Sequence, residues 1–194
     1  KIIGGNTKEI EKRTRVRARV ISHALKELIY ESEKIYIIGH RNPDMDCFGS
    51  AVALASTIRQ LGKECSIILG NDTVPINYFL DRLKRDVKYN DYFISLEDAN
   101  RYIDDNALVI VVDVHNRSYV ENIDFIEKSK RKVIIDHHRR SPDMIGGALL
   151  NYIEVYASST SEMITEVIQY MLKDPKLTQI EAEGLLAGIY NSLG

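Results

Sequence analysis

Four short runs of unbroken apolar residues constrain what this chain can become: Ile35 to Gly39, Cys65 to Leu69, Ala107 to Val112 and Val133 to Ile135. Each is too short for a helix and lacks the polar alternation of a half-exposed strand, so each predicts a strand covered on both faces. Segments of helical length separate them, and helices are expected at Phe48 to Leu61, Asn77 to Arg85, Leu96 to Ile103 and Ile123 to Ser129, with Gly62 stopping the first. Alternating strands and helices form βαβ units, so the expected fold class is α/β: a parallel β-sheet flanked by helices, Rossmann-like in plan.

Outside this repeat the chain is helical. Lys1 to Asn6 reads as a short glycine-containing lead, and Thr7 to Ser32 contains neither Gly nor Pro. Val16, Val20, Ile21, Ala24, Leu25, Leu28 and Ile29 recur there at three-four spacing, which predicts one long amphipathic connecting helix ahead of the domain. Its basic cluster, Lys12, Arg13, Arg15, Arg17 and Arg19, is read first as a solvated face or a contact with a neighbouring domain, and second as a nucleic-acid contact. After the break at Gly146-Gly147, Leu149 to Val155 is expected as a further strand. Ser158 to Leu172 is expected as a helix whose serines and Glu162 fit a capping box, and Thr178 to Tyr190 as a final helix with Thr178 as N-cap and Glu181 three residues on. The domain division is therefore residues 1–32 as connector and 33–194 as one domain.

At 194 residues and 44% hydrophobic content the chain can bury a full core. Its net charge of -2 gives no global attraction to nucleic acid or anionic lipid, so no stable DNA binding is expected. Cys47 and Cys65 make no CxxC pair, which leaves neither a thiolate zinc motif nor a disulfide framework and suits a reducing cytoplasm. The sequence contains neither a run of about 18 apolar residues nor a signal pattern, so a soluble chain is expected. It starts without Met and stops within a helical pattern, and is expected to be a piece of a longer protein.

Chemistry gathers at the strand ends. His40-Arg41-Asn42-Pro43-Asp44-Met45-Asp46 follows the first strand, with His40, Asp44 and Asp46 as ligand candidates and Pro43 favouring a loop. Asp113 follows the third, and Asp136-His137-His138 the fourth. Ligands of open parallel sheets sit beyond the carboxyl ends of strands, so these segments can share one crevice. Carboxylates about 3 to 4 Å apart cannot all stay ionised without a cation between them. Arg41, Arg139 and Arg140 could serve as counter-ions, but imidazoles beside carboxylates are the usual ligands of divalent metals. Five or six such groups exceed one tetrahedral ion, which favours a two-metal centre with Asp113 bridging. Oxygen-rich ligation without thiolate suits manganese, magnesium or iron. Cys47 is read as a small buried residue rather than a ligand, His23 as structural, and His115 as ambiguous because a turn at Asn116 could redirect it. Ser158, Ser159 and Thr160, opening a helix, could offer amides to an anion or serve only as caps.

In this order His40-x-x-x-Asp44-x-Asp46, Asp113 and Asp136-His137-His138 resemble the motifs of the DHH phosphoesterase superfamily, over roughly Lys34 to Tyr190. Gly4-Gly5 and the segment Glu11 to Val20 resemble more closely the GdpP-type cyclic-di-AMP phosphodiesterases, in which such a segment joins a degenerate GGDEF domain to the DHH domain. The resemblance implies a five-stranded parallel domain with two manganese ions, magnesium or iron being alternatives, that hydrolyses cyclic-di-AMP to linear pApA. It places His40 and Asp44 on one metal, Asp46 and His137 on the other, and Asp113 between them. His138 would face the substrate phosphate, and Asp136 would orient a histidine from behind. Apart from the resemblance, the position of Arg139 beside the site and of Ser158, Ser159 and Thr160 at a helix start makes them candidate substrate contacts. It also implies a cyclic dinucleotide as partner, a homodimer as one assembly, and placement of the full-length protein at the cytoplasmic face of the bacterial membrane through segments outside this sequence.

The match departs from the family at the end of the chain. An aspartate is expected shortly after Leu185 to Tyr190, where Asn191-Ser192-Leu193-Gly194 stand, and a glycine-rich C-terminal domain is expected further on. The alternatives are therefore another DHH activity, on short oligonucleotides or pyrophosphate, or a module that binds metal and nucleotide without turnover. A Rossmann dehydrogenase is excluded, since no GxGxxG follows the first strand.

Overall fold

All four apolar runs are strands in the computed structural model, which describes residues 3–194, with side chains from residue 7 onward. The strands are β1 (Lys34–Ile38), β2 (Glu64–Leu69), β3 (Phe93–Ser95), β4 (Leu108–Val112), β5 (Lys132–Asp136) and β6 (Leu150–Ile153). They form one six-stranded parallel sheet in the order β3-β2-β1-β4-β5-β6. The expected count of five is thereby corrected. β3 is a three-residue edge strand that runs straight into a helix, too short to leave an apolar run.

The helices are α1 (Ile3–Glu31), α2 (Met45–Gln60), α3 (Asn77–Lys84), α4 (Leu96–Tyr102), α5 (Ile123–Lys128), α6 (Thr160–Met171) and α7 (Gln179–Asn191). Two expectations at helix starts change. Gly4-Gly5 belong to α1 rather than to a lead, because the long helix begins by Ile3; Lys1 and Ile2 lie outside the described residues. α2 opens three residues before Phe48, because Asp44 caps it by accepting the Cys47 N–H at 2.9 Å. Asp46 therefore sits in the first helical turn and not on the loop that Pro43 suggested.

Both faces of the sheet are buried, as the lack of alternation requires. Ile35, Ile37, Leu108, Ile110, Val133 and Ile135 point to a core shared with α1, α2, α6 and α7, whereas Tyr36, Ile38, Val109, Val111 and Ile134 meet Ala99 of α4 and Phe125 and Ile126 of α5. α2 and α7 approach so closely that a Cβ on Gly49 would stand 2.2 Å from the Gly184 carbonyl oxygen. The capping box at Thr178 and Glu181 forms as expected. At α6 it is rearranged: Ser159 accepts the Glu162 N–H, but Glu162 reaches back to the N–H and hydroxyl of Ser158. Among the described residues, no helix is long and apolar enough to cross a membrane.

Candidate metal centre

The strand order reverses between β1 and β4; Asp113 follows β4 directly, and His40 follows β1 after Gly39. Such a reversal opens a crevice, because the loops leaving adjacent strands turn to opposite sides of the sheet. Two residues bend sharply at its mouth. Asn42 and Asp113 have φ of 52° and 62°, a left-handed conformation that Asn and Asp tolerate better than most side chains. The turn at Asp113 ends β4 and breaks its two-residue period, so His115 does not share the direction of Asp113.

Asp113 divides its carboxylate between two neighbours. Its Oδ2 lies 3.3 Å from His40 Nε2, and its Oδ1 lies 3.5 Å from His137 Nε2. His40 Nε2 is also 3.6 Å from Asp44 Oδ1, and His137 Nε2 is 3.4 Å from Asp46 Oδ2. Two histidine–aspartate pairs thus flank one shared carboxylate. His40 Nδ1 is 2.8 Å from the Arg41 carbonyl, to which it must donate, so its Nε2 is the atom turned toward the carboxylates. Among the described residues, the cationic side chains within ion-pair distance of Asp44, Asp46 and Asp113 are histidines alone. Of the three expected counter-ions, Arg41 donates to the Ser118 carbonyl, and Arg139 and Arg140 are exposed.

The electrostatics express the same crowding. Burial and then the charge of Asp113 push Asp46 up to about 6. Burial would raise Asp113 as well, but hydrogen bonds from His137, His40 and Thr160 outweigh it and hold the carboxyl below its ordinary value of 3.8. Burial lowers His40, and the bonds to Asp113 and Asp44 overcome this and raise it. Protons are drawn into the cluster because it wants positive charge, and its N and O donors are of the types that bind divalent cations. His40, Asp44 and Asp113 would hold one, and Asp46, His137 and Asp113 the other. Cys47 is buried with its thiol near His40 and Asp113. Burial raises that thiol and favours its protonated form.

Asp136 stands behind the cluster and is saturated. Its Oδ1 accepts from His138 Nδ1 at 2.6 Å and from the backbone N–H of His137 and His138, and its Oδ2 accepts from His115 Nδ1 at 2.6 Å. Although Asp136 lies within ligand distance of Asp113, His137 and His138, these bonds make it an orienting group. The Ser141 N–H donates to His115 Nε2 at 2.9 Å, so the proton of His115 resides on Nδ1. His138, bonded through Nδ1, lines a cavity of about 800 Å³ together with Arg41, Tyr119 and Arg139.

The α6 N-terminus does bind an anion, and that anion is Asp46. Thr160 and Ser161 donate their N–H groups to Asp46 Oδ2 and Oδ1 at 3.0 and 2.8 Å, and the Thr160 hydroxyl donates to Asp113 at 2.8 Å. Ser159 caps α6, and Ser158 is exposed and bonded to Glu162. The donors assigned from sequence to a substrate thus have partners inside the protein. Sequence reasoning did not find the supporting roles of Thr160, Ser161 and His115, nor the contacts of Asn191 and Ser192 to Asp44 and Asp46 at 3.2 and 3.3 Å. The serine-threonine run was the visible signal, but its partners are remote in sequence.

A family model described as the DHH family, N-terminal domain, matches residues 34–189. The cyclic-di-AMP phosphodiesterase GdpP of Bacillus subtilis (strain 168) is 41% identical over 191 residues, covering 97% of this chain and 29% of the relative. The cyclic-di-AMP phosphodiesterase PdeA of Listeria monocytogenes serotype 1/2a (strain 10403S) is 37% identical over 96% of this chain and 29% of its own length. The chain thus spans less than a third of these relatives. Among solved structures, an exopolyphosphatase-related protein from Bacteroides fragilis superposes with a TM-score of 0.69 at 20% identity, covering 90% of this chain and 50% of that one, a likeness of fold.

Proposed function

The chain belongs to the DHH family, and from that premise we propose that it carries the hydrolytic centre of a two-metal phosphodiesterase acting on cyclic-di-AMP and yielding linear pApA. The observation that supports this best is the division of Asp113 between His40 and His137, which leaves two adjacent positions ringed by nitrogen and oxygen donors. A pair of divalent ions, manganese by preference, would acidify a water and neutralise charge on a phosphoryl group. Similarity to phosphodiesterases of cyclic-di-AMP supports the substrate.

The chain's own residues have separable tasks. His40 and Asp44 hold one side of the centre, Asp46 and His137 the other, and Asp113 sets their spacing. The bond to Asp136 raises His138 and favours its imidazolium, which donates from both nitrogens: Nδ1 to Asp136, and Nε2 to a phosphate oxygen or the departing 3′ oxygen. Arg139, on the cavity wall, balances phosphate charge. Ser159 and Thr160 act one step back, by holding α6 against Asp46 and Asp113. The attacking group is water, so no side-chain nucleophile is required.

The test is a substrate panel with manganese: cyclic-di-AMP, pApA, a short oligoribonucleotide and pyrophosphate. Conversion of cyclic-di-AMP to pApA at the highest kcat/KM is the expected result. Faster turnover of pyrophosphate or oligonucleotide would transfer the assignment to another activity.

A further inference from the structure

Arg17, a member of the basic cluster on α1, forms an ion pair with the domain. Its Nη1 lies 3.1 Å from Glu154 Oε2, and its guanidinium sits 5.6 Å from the centre of the Tyr152 ring. The Glu154 side chain is only 8% exposed, and Arg17 is its ion-pair partner. Glu154 is also a junction. Its N–H donates to the Asp136 carbonyl at 3.0 Å, its carbonyl accepts the Ala157 N–H at 3.2 Å, and its Oε1 accepts the Tyr156 N–H at 3.2 Å. It thereby orders the turn between the end of β6 and Ser159, from which α6 starts. The first amides of α6 hold Asp46, and its Thr160 hydroxyl holds Asp113.

The rest of α1 makes this tie consequential. Ala18, Leu25 and Ile29 are buried in the core beside Met163, Val167 and Met171 of α6, anchoring the second half of the helix. Toward its start α1 lies over a cavity of about 260 Å³ lined by Ile10, Thr14, Tyr152, Glu154 and Glu162. Among the described side chains of α1, Ala18 is the first to be buried, and Arg17 stands beside it.

We propose that Arg17 is a positioning residue for the metal centre: through Glu154 it fixes the turn that aims the α6 N-terminus at Asp46 and Asp113, so that displacement of α1 changes cation binding. The inference rests on the metal reading above. It gives residues 1–32 a role as a connector that transmits as well as joins.

The experiment compares Arg17→Gln, Arg17→Lys and Arg19→Gln, the last removing the same charge from an exposed position of the same helix. Manganese binding is measured by calorimetry, and exchange of the Thr160 and Ser161 amide hydrogens by NMR or mass spectrometry. Arg17→Gln is expected to weaken manganese binding about tenfold, the range of lost ligand support, and to speed exchange of both amides. Arg17→Lys is expected to retain most of both properties, and Arg19→Gln all of them. Binding and exchange unchanged in Arg17→Gln would overturn the proposal, as would equal losses in Arg19→Gln. Loss of the helical circular dichroism signal in Arg17→Gln would place the residue in the fold rather than the site and overturn it equally. If the unsubstituted chain binds no manganese, the metal reading fails alone, and amide exchange still decides the role of Arg17.

Discussion

The Oγ of Ser192 lies 3.3 Å from Oδ2 of Asp46, so the end of α7 meets the first turn of α2 at the candidate metal centre. Asn191 makes the parallel contact to Asp44 at 3.2 Å. The end of α7 therefore contributes a hydroxyl and an amide to a site whose other members are carboxylates and imidazoles. These are weak donors to a cation, and their position identifies where a further carboxylate would act.

Ser192→Asp is expected to tighten manganese binding by about tenfold, the value of a well-placed charged contact. Without metal the same change sets a second carboxylate against Asp46 and is expected to lower thermal stability. Calorimetry and melting with and without manganese check the two signs together. Equal melting shifts in both conditions would show that residue 192 does not face the cation.

Asp113→Asn retains a side chain that tolerates the left-handed backbone at φ 62° while removing the bridging charge. The fold is expected to survive and manganese binding to fall by at least about a hundredfold, with hydrolysis lost. His137→Ala is expected to act in the same direction. Turnover retained in either variant would remove Asp113 and His137 from the centre.

Gly49→Ala would force a methyl group to within 2.2 Å of the Gly184 carbonyl oxygen, a backbone atom that cannot rotate aside. Separation of α2 from α7 is expected to cost about 1 to 3 kcal/mol, read by urea unfolding. Because α7 carries Asn191 and Ser192 to the site, metal affinity is expected to fall with stability. An unchanged midpoint would show that the two helices can part freely.

Glu181 is buried, and burial alone would raise its carboxyl. Bonds from Tyr89, Lys88, the Thr178 N–H and Ser56 reverse this and hold it below its ordinary 4.5. Below that ordinary value the unfolded chain binds the proton and the folded one resists it. The resulting stabilisation is present above pH about 4.5 and is lost as pH falls through the lower folded value. Glu181→Gln is expected to unfold more easily than the unsubstituted chain at pH 7 and to approach it at pH 3. A constant gap between their urea midpoints would contradict this account.

Much of the architecture was legible because its determinants are local. An unbroken apolar run too short for a helix reads as a strand covered on both sides, and helices between such runs bring strand ends to one edge, so His40, Asp113 and His137 could be placed together from their neighbours alone. β3 was illegible because three residues carry no pattern. The helical placement of Asp46 was missed because the cap at Asp44 overrides the loop preference of Pro43.

The sequence by itself determined the α/β class, the candidate ligand types and the edge of the sheet where they converge, since each follows from the chemistry of a few adjacent residues. Only the tertiary structure decided which oxygen of Asp113 faces which histidine, that Asp136 orients His115 and His138, and that the α6 amides hold Asp46. Those contacts join residues from 2 to 115 positions apart. The physical reason is that a hydrogen bond is decided by direction and distance within a few tenths of an ångström, a precision that packing of the whole chain supplies and residue order does not.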